Sequence, residues 1–252
     1  MPNPRPPRLA VLIDADNASP RIADGLFEEI AKIGEASARR IYGDFSNERS
    51  KGWAAVLPKH AIIPQQQFVN TPGKNASDMA LVIDAMDLLH SGRFDGFCLV
   101  SSDSDFTRLA ARIREQGLDV YGFGEQKTPE SFRQACRRFI YTENLLPGPL
   151  NGAADTAAPN PLRPPSAATP LIRKAIAQLE SEDGWVSMAS VGSQLGTLTP
   201  DFDSRSYGCR KLSDLVRLTG AFEVESLQGG GLRLRAKPPG SGKAKAVKNK
   251  AS

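Results

Sequence analysis

The sequence predicts an α/β domain with a mostly parallel sheet, followed by a small winged-helix domain. Three observations carry this. Short, continuous apolar runs end abruptly in small polar residues and lead at once into helical spacing. Strand and helix patterns alternate up to about residue 145. Over residues 146–170 prolines mix with Gly, Ala, Asn and Ser, as in a linker, and a separate apolar pattern starts at Leu171.

Residues 8–13 form the first apolar run, and Asp14-Ala15-Asp16-Asn17 ends it. Ser19-Pro20 supplies an N-cap and a proline at the first helical position. Ile22, Leu26, Phe27, Ile30 and Ile33 make one helix face, stopped by Gly34. Residues 38–45 read as a second strand and residues 53–57 as a short helix. Residues 62–69 read as a third strand, which Pro64 places near an edge. A helix follows, capped by Ser77 and apolar on most of its circumference.

The most informative stretch is Gly96-Phe97-Cys98-Leu99-Val100-Ser101-Ser102-Asp103-Ser104-Asp105-Phe106. Its apolar run suits a strand buried on both faces. Phe106, Leu109, Ala110 and Ile113 then recur at helical spacing, so Asp103 and Asp105 sit on the turn between the two. Asp105 is placed as N-cap or first-turn residue of that helix. Residues 118–123 make a further strand, 129–138 a helix and 139–141 a last short strand.

In the second unit, helices are expected at residues 171–179, 188–195 and 207–218. A hairpin at residues 222–227 and 232–234 turns around Gly229-Gly230-Gly231, which completes a winged-helix pattern. A lysine-bearing tail closes the sequence.

The chain has 252 residues, a formal charge of +4, three cysteines and two histidines. Neither histidines nor cysteines show zinc-ligand spacing, and a serine–histidine–aspartate triad has little to build on. No apolar run approaches the length of a membrane span, so a cytoplasmic location is expected. A basic chain with an acidic pocket fits action on nucleic acid.

Parallel strands joined by right-handed crossovers bring their ends to one edge. That edge would gather Asp14, Asp78, Asp103 and Asp105. Four carboxylates at one spot raise each other's pKa unless a cation joins them, and all-oxygen ligands point to Mg²⁺ or Mn²⁺. Asp84 lies six positions after Asp78, roughly 1.7 turns, and is expected to point away. Asn17 could orient a ligand carboxylate or a substrate oxygen. Ser101 and Ser102 could bond a phosphate or satisfy turn amides. Lys74, on the loop before Asp78, could meet a substrate phosphate.

Ile13-Asp14-Ala15-Asp16-Asn17, Lys74-Asn75-Ala76-Ser77-Asp78 and Ser101-Ser102-Asp103-Ser104-Asp105-Phe106 together resemble the NYN domain of the PIN-like nucleases, over residues 8–145. The resemblance implies a PIN-like fold and metal-dependent endonucleolytic hydrolysis of RNA. Asp14, Asp78, Asp103 and Asp105 would be the acidic, metal-holding site, with Asn17 beside them.

Asp183-Gly184-Trp185-Val186, the stretch from Pro200 to Gly208, and Leu212-Ser213-Asp214-Leu215 are similar to the LOTUS (OST-HTH) domain, over residues 169–237. Its members bind RNA or protein partners, and NYN–LOTUS pairings occur among bacterial LabA-like proteins. Arg205, Arg210, Lys211 and Arg217 would be the first phosphate contacts. Residues 146–168 would be the linker and 238–252 a basic tail. RNA is the expected partner, with room for a homo-oligomer and for a protein bound through the LOTUS unit.

Two other readings remain open. The chain could be a non-catalytic RNA-binding adaptor. Asp14-Ala15-Asp16 could instead be the Asp-x-Asp of a haloacid-dehalogenase-type phosphatase, although its continuation is unlike that family's.

Overall fold

The structure is a computed structural model that describes residues 5–46, 51–68, 75–146, 162–181, 183–227 and 230–237. The chain divides into two compact units, Met1–Ala158 and Pro159–Ser252.

The first unit is built on one six-stranded sheet in the order β3-β2-β1-β4-β5-β6. Its strands are β1 (Arg8–Asp14), β2 (Glu35–Gly43), β3 (Ile63–Gln66), β4 (Gly96–Val100), β5 (Asp119–Gly124) and β6 (Arg138–Tyr141). Every pairing is parallel. Each strand must therefore be joined to the next by a crossover, and the helices cover both faces.

Alternation along β1 decides what goes where. Leu9, Val11 and Ile13 enter one core layer with Leu26 and Ile30 of α1 (Ala23–Ala31) and Trp53 of α2 (Lys51–Ala54). Ala10 and Leu12 enter the other, against α3 (Ala76–His90), α4 (Thr107–Glu115) and α5 (Glu130–Ala135). All of β4 is buried, as its unbroken apolar run requires.

The direction of strand order reverses between β1 and β4. At such a switch point successive crossovers leave to opposite sides, and a crevice opens at the carboxyl ends. Asp14 ends β1 and Asp103 follows β4, so both stand at that crevice.

Several element ends differ from the sequence reading, each for a local reason. β2 starts at Glu35, because its N–H bonds Pro7 O as soon as Gly34 ends the turn after α1. β3 stops at Gln66 and is the edge strand that Pro64 implied. α5 ends at Ala135, since Cys136 is extended and leads into β6. Ser77 is not the cap of α3: Asn75 holds that position, without a side-chain bond, and Ser77 lies inside the helix, buried.

The second unit has α6 (Thr169–Ala177), α7 (Met188–Leu198) and α8 (Leu212–Thr219) around Ile172, Val191, Leu195, Leu215 and Val216. Its antiparallel sheet, ordered β7-β9-β8, comprises β7 (Val186–Ser187), β8 (Phe222–Ser226) and β9 (Leu232–Ala236). β7 was not foreseen; two residues are too short for a periodic signal. The single helix expected at residues 207–218 is split. Ser204–Tyr207 is a 3-10 turn, Gly208 takes φ 77°, and α8 begins four residues later. A 3-10 turn at Pro165–Ala168, inside the stretch read as linker, precedes α6 and buries Ala168. Gly229, linker residues 147–161 and the tail from residue 238 fall outside the described residues.

Candidate active site

Asp14 is the keystone of the crevice. It is 1 % exposed and its carboxylate accepts four hydrogen bonds. Oδ1 takes the backbone N–H of Asp16 (3.0 Å) and Asn17 (3.3 Å). Oδ2 takes Asn17 Nδ2 (2.9 Å) and Ser101 Oγ (2.7 Å). A carboxylate has about four lone-pair sites, so this one is saturated.

The bond to Ser101 couples the two strand ends. Ser101 Oγ in turn accepts Asp103 N–H at 3.0 Å, which fixes the turn after β4. Asp103 then caps the next turn through Oδ1, accepting Asp105 N–H at 2.9 Å. Thus Asp103, not Asp105, is the N-cap, and Asp105 stands exposed in the first turn. Ser102 is also part of this frame, accepting Glu125 N–H at 2.9 Å. Ser101 and Ser102 are both buried, so their hydroxyls serve the frame of the turn.

Asp78 comes in from α3, half-buried. Burial first, and then the charges of Asp14, Asp103, Asp16 and Asp105, push its carboxyl up to about 6. Asp78 therefore feels the charge of the other three carboxylates expected to meet it. Asp16 joins them; its signal in the sequence was the Asp-Ala-Asp doublet closing the first strand.

Asp84 is turned away from the cluster. It pairs with Arg40 at 2.5 Å and accepts the Tyr42 hydroxyl at 2.5 Å. Lys74 lies outside the described residues. In the second unit Arg205 is bound by Asp203 through Nε and Nη2, so its charge is locally compensated. Arg210, Lys211 and Arg217 are exposed along and just before α8.

Among the described residues no three His, Cys, Asp or Glu side chains converge at ligand spacing. The donor chemistry nonetheless fits a hard divalent cation: oxygen ligands only, with mutual repulsion that a cation would relieve. Mg²⁺ takes one or two carboxylates directly and keeps several waters, so it needs no closed protein cage.

Comparison with known proteins follows from this geometry. The NYN domain profile matches residues 8–146, and the OST-HTH/LOTUS domain profile matches residues 164–234. No curated protein matches the chain.

Among solved structures, a Vibrio parahaemolyticus protein of unknown function is similar at 16% identity and TM-score 0.48, covering 56% of this chain and 96% of its own. An uncharacterized Nitrosomonas europaea protein, solved by NMR, is 34% identical with TM-score 0.26, over 39% of this chain and 92% of its own. The WlbA dehydrogenase of Bordetella pertussis, in complex with NADH and UDP-GlcNAcA, is 16% identical with TM-score 0.32, over 71% of this chain and 41% of its own. Likenesses this distant add nothing to the profile matches.

The NYN domain is a PIN-like, nuclease-type domain, and the OST-HTH/LOTUS domain is an RNA-binding module. With aspartates gathered where strand order reverses, and a profile match over more than half its length, the chain belongs to the NYN family and carries an OST-HTH/LOTUS domain behind it.

Proposed function

We propose that the chain is a metal-dependent endoribonuclease whose NYN unit cuts and whose LOTUS unit holds RNA. The observation that carries this is the mutual charge of Asp14, Asp16, Asp78, Asp103 and Asp105 at the β1/β4 crevice. Asp78, Asp103 and Asp105 would hold Mg²⁺ or Mn²⁺, with Asp16 at the rim and saturated Asp14 at the base. The chemistry such a cation would supply is neutralisation of a phosphodiester, a more acidic water and stabilisation of the leaving oxygen.

The chain's own contribution is positioning. Asp14 orients Asn17 and, through Ser101, the turn that carries Asp103 and Asp105. Asn17, exposed above Asp14, is placed to donate to a phosphate oxygen. Arg210, Lys211 and Arg217 offer unburied cations for RNA phosphates in the second unit.

The test is cleavage of labelled single-stranded and structured RNA in EDTA, Mg²⁺ and Mn²⁺, with Asp103→Asn as control. Asparagine is an equal N-cap, so the turn survives while a carboxylate is lost. Metal-dependent cutting that falls at least ~100-fold in the variant, the size of a lost electrostatic contact to the transition state, is expected. Full activity in Asp103→Asn would sink the assignment. No cutting in any metal, with RNA still bound, would make the chain an RNA-binding adaptor.

A further inference from the structure

At the end of the sheet remote from the crevice aspartates one hollow is lined by basic residues alone among its charged groups. A hollow of about 590 Å³ opens there between the starts of β1, β2 and β3 and the end of α3. Arg8, Arg39, Arg40 and Arg93 line it, Ile63 and Phe94 add apolar wall, and no acidic residue is among the lining.

The four guanidiniums differ in how far they are already engaged. Arg40 is paired with Asp84. Arg39 uses Nε and Nη1 on the carbonyls of Ala36 and His60 and lies over the Phe27 ring, so it is already engaged. Arg8 Nε is buried without a hydrogen-bond partner, 4.0 Å from Asp95 Oδ2. Arg93 is exposed, and among the described residues its guanidinium has no hydrogen bond or ion pair. The hollow thus keeps the Arg93 fork unengaged beside three partly engaged guanidiniums, and such forks match phosphate oxygens in pairs.

Its distance from the aspartates follows from the elements. Leu88, in the hollow wall, lies ten residues beyond Asp78 on α3, about 15 Å at the helical rise. Along α3 between the two ends Met79 and Ile83 remain 62% and 59% exposed. Exposed aliphatic surface between an acidic and a basic end can be covered by the apolar faces of unpaired bases.

We propose that this arginine hollow is a second phosphate anchor, by which the NYN unit grips single-stranded RNA several nucleotides from the bond at the aspartates. The identity of the ligand rests on the ribonuclease reading; the test does not depend on cleavage. Binding of 5′-labelled oligoribonucleotides, from a dinucleotide upward, is measured in EDTA over a salt series for the full chain, Arg93→Ala, Arg93→Lys and Arg112→Ala.

The expected result is a several-fold loss of affinity in Arg93→Ala for the longer strands alone. The slope of log affinity against log salt should become shallower by about 0.7, one phosphate contact on a single strand. Arg93→Lys should restore most of the slope. Arg112→Ala removes an exposed charge elsewhere, paired with Glu115, and should match the unaltered chain. An unchanged slope in Arg93→Ala, or an equal loss in Arg112→Ala, overturns the anchor even if the chain cuts RNA. A changed slope in a chain that cuts nothing upholds the anchor and rejects the nuclease.

Discussion

Single carboxylates in the crevice have different work, and their bonds say which. Asp14 is saturated and buried, so Asp14→Ala would strand four donors and should cost on the order of 3 kcal/mol or more of folding stability. Urea unfolding would read this, and loss of activity in that variant would say little about chemistry. Asp78 is the opposite case. Its carboxyl is raised to about 6 by burial and by its neighbours, so the folded state holds its proton more tightly than the unfolded one. Its contribution therefore favours the fold at low pH and is lost as pH rises from about 4 through about 6. Asp78→Asn should stabilise the first unit at pH 7 in EDTA. With the group half exposed, solvent screening holds the gain to about 1 kcal/mol, or ~3 °C in Tm. A thermal melt at pH 4 and pH 7 checks the sign: the variant's advantage should vanish at the lower pH. The sequence disclosed these residues because each ends or begins an element. It did not disclose which carboxylate is a cap, since that depends on a 2.9 Å bond that spacing alone leaves between Asp103 and Asp105.

Elements whose signal is continuous were legible, and those decided by one dihedral were not. The buried strands β1 and β4 and the Ser19-Pro20 helix start follow from composition and stereochemistry. The break between Tyr207 and α8 does not, because the apolar spacing runs on through Gly208. Only the left-handed φ of 77° stops the helix, and the C-cap bond from Gly208 N–H to Arg205 O fixes it. Gly208→Ala should lower the stability of the second unit by about 1–2 kcal/mol, the cost of a Cβ in that conformation. Chemical denaturation of the full chain, followed by the fluorescence of Trp185, measures it. Gly124, at the end of β5, is a second tight place. A Cβ there would stand 2.6 Å from Ser101 O and 2.7 Å from Thr128 Oγ1. Gly124→Ala should displace the turn that holds Asp103 and lower RNA cleavage without touching a carboxylate.

At the scale of the whole molecule, two compact units that share no core cluster mean two cooperative units. Calorimetry should resolve two transitions, and Mn²⁺ should raise only the one belonging to the NYN unit, since a ligand stabilises the state that binds it. A shift of both, or of neither, would count against a metal site confined to the first unit. Strand order also governs how the molecule comes into being. Asp14 closes β1 near the start of the chain, yet its bond to Ser101 spans 87 residues. Parallel partners so far apart in sequence find each other slowly. A nascent chain grown as far as Asp95 carries Asp14, Asp16 and Asp78 but neither β4 nor the aspartates behind it. On the ribosome, surrounded by message, the growing protein has only part of its acid cluster. On the ribonuclease proposal the cutting edge would be assembled only when β4 slots in beside β1, so delayed synthesis of one strand would protect the transcript being read.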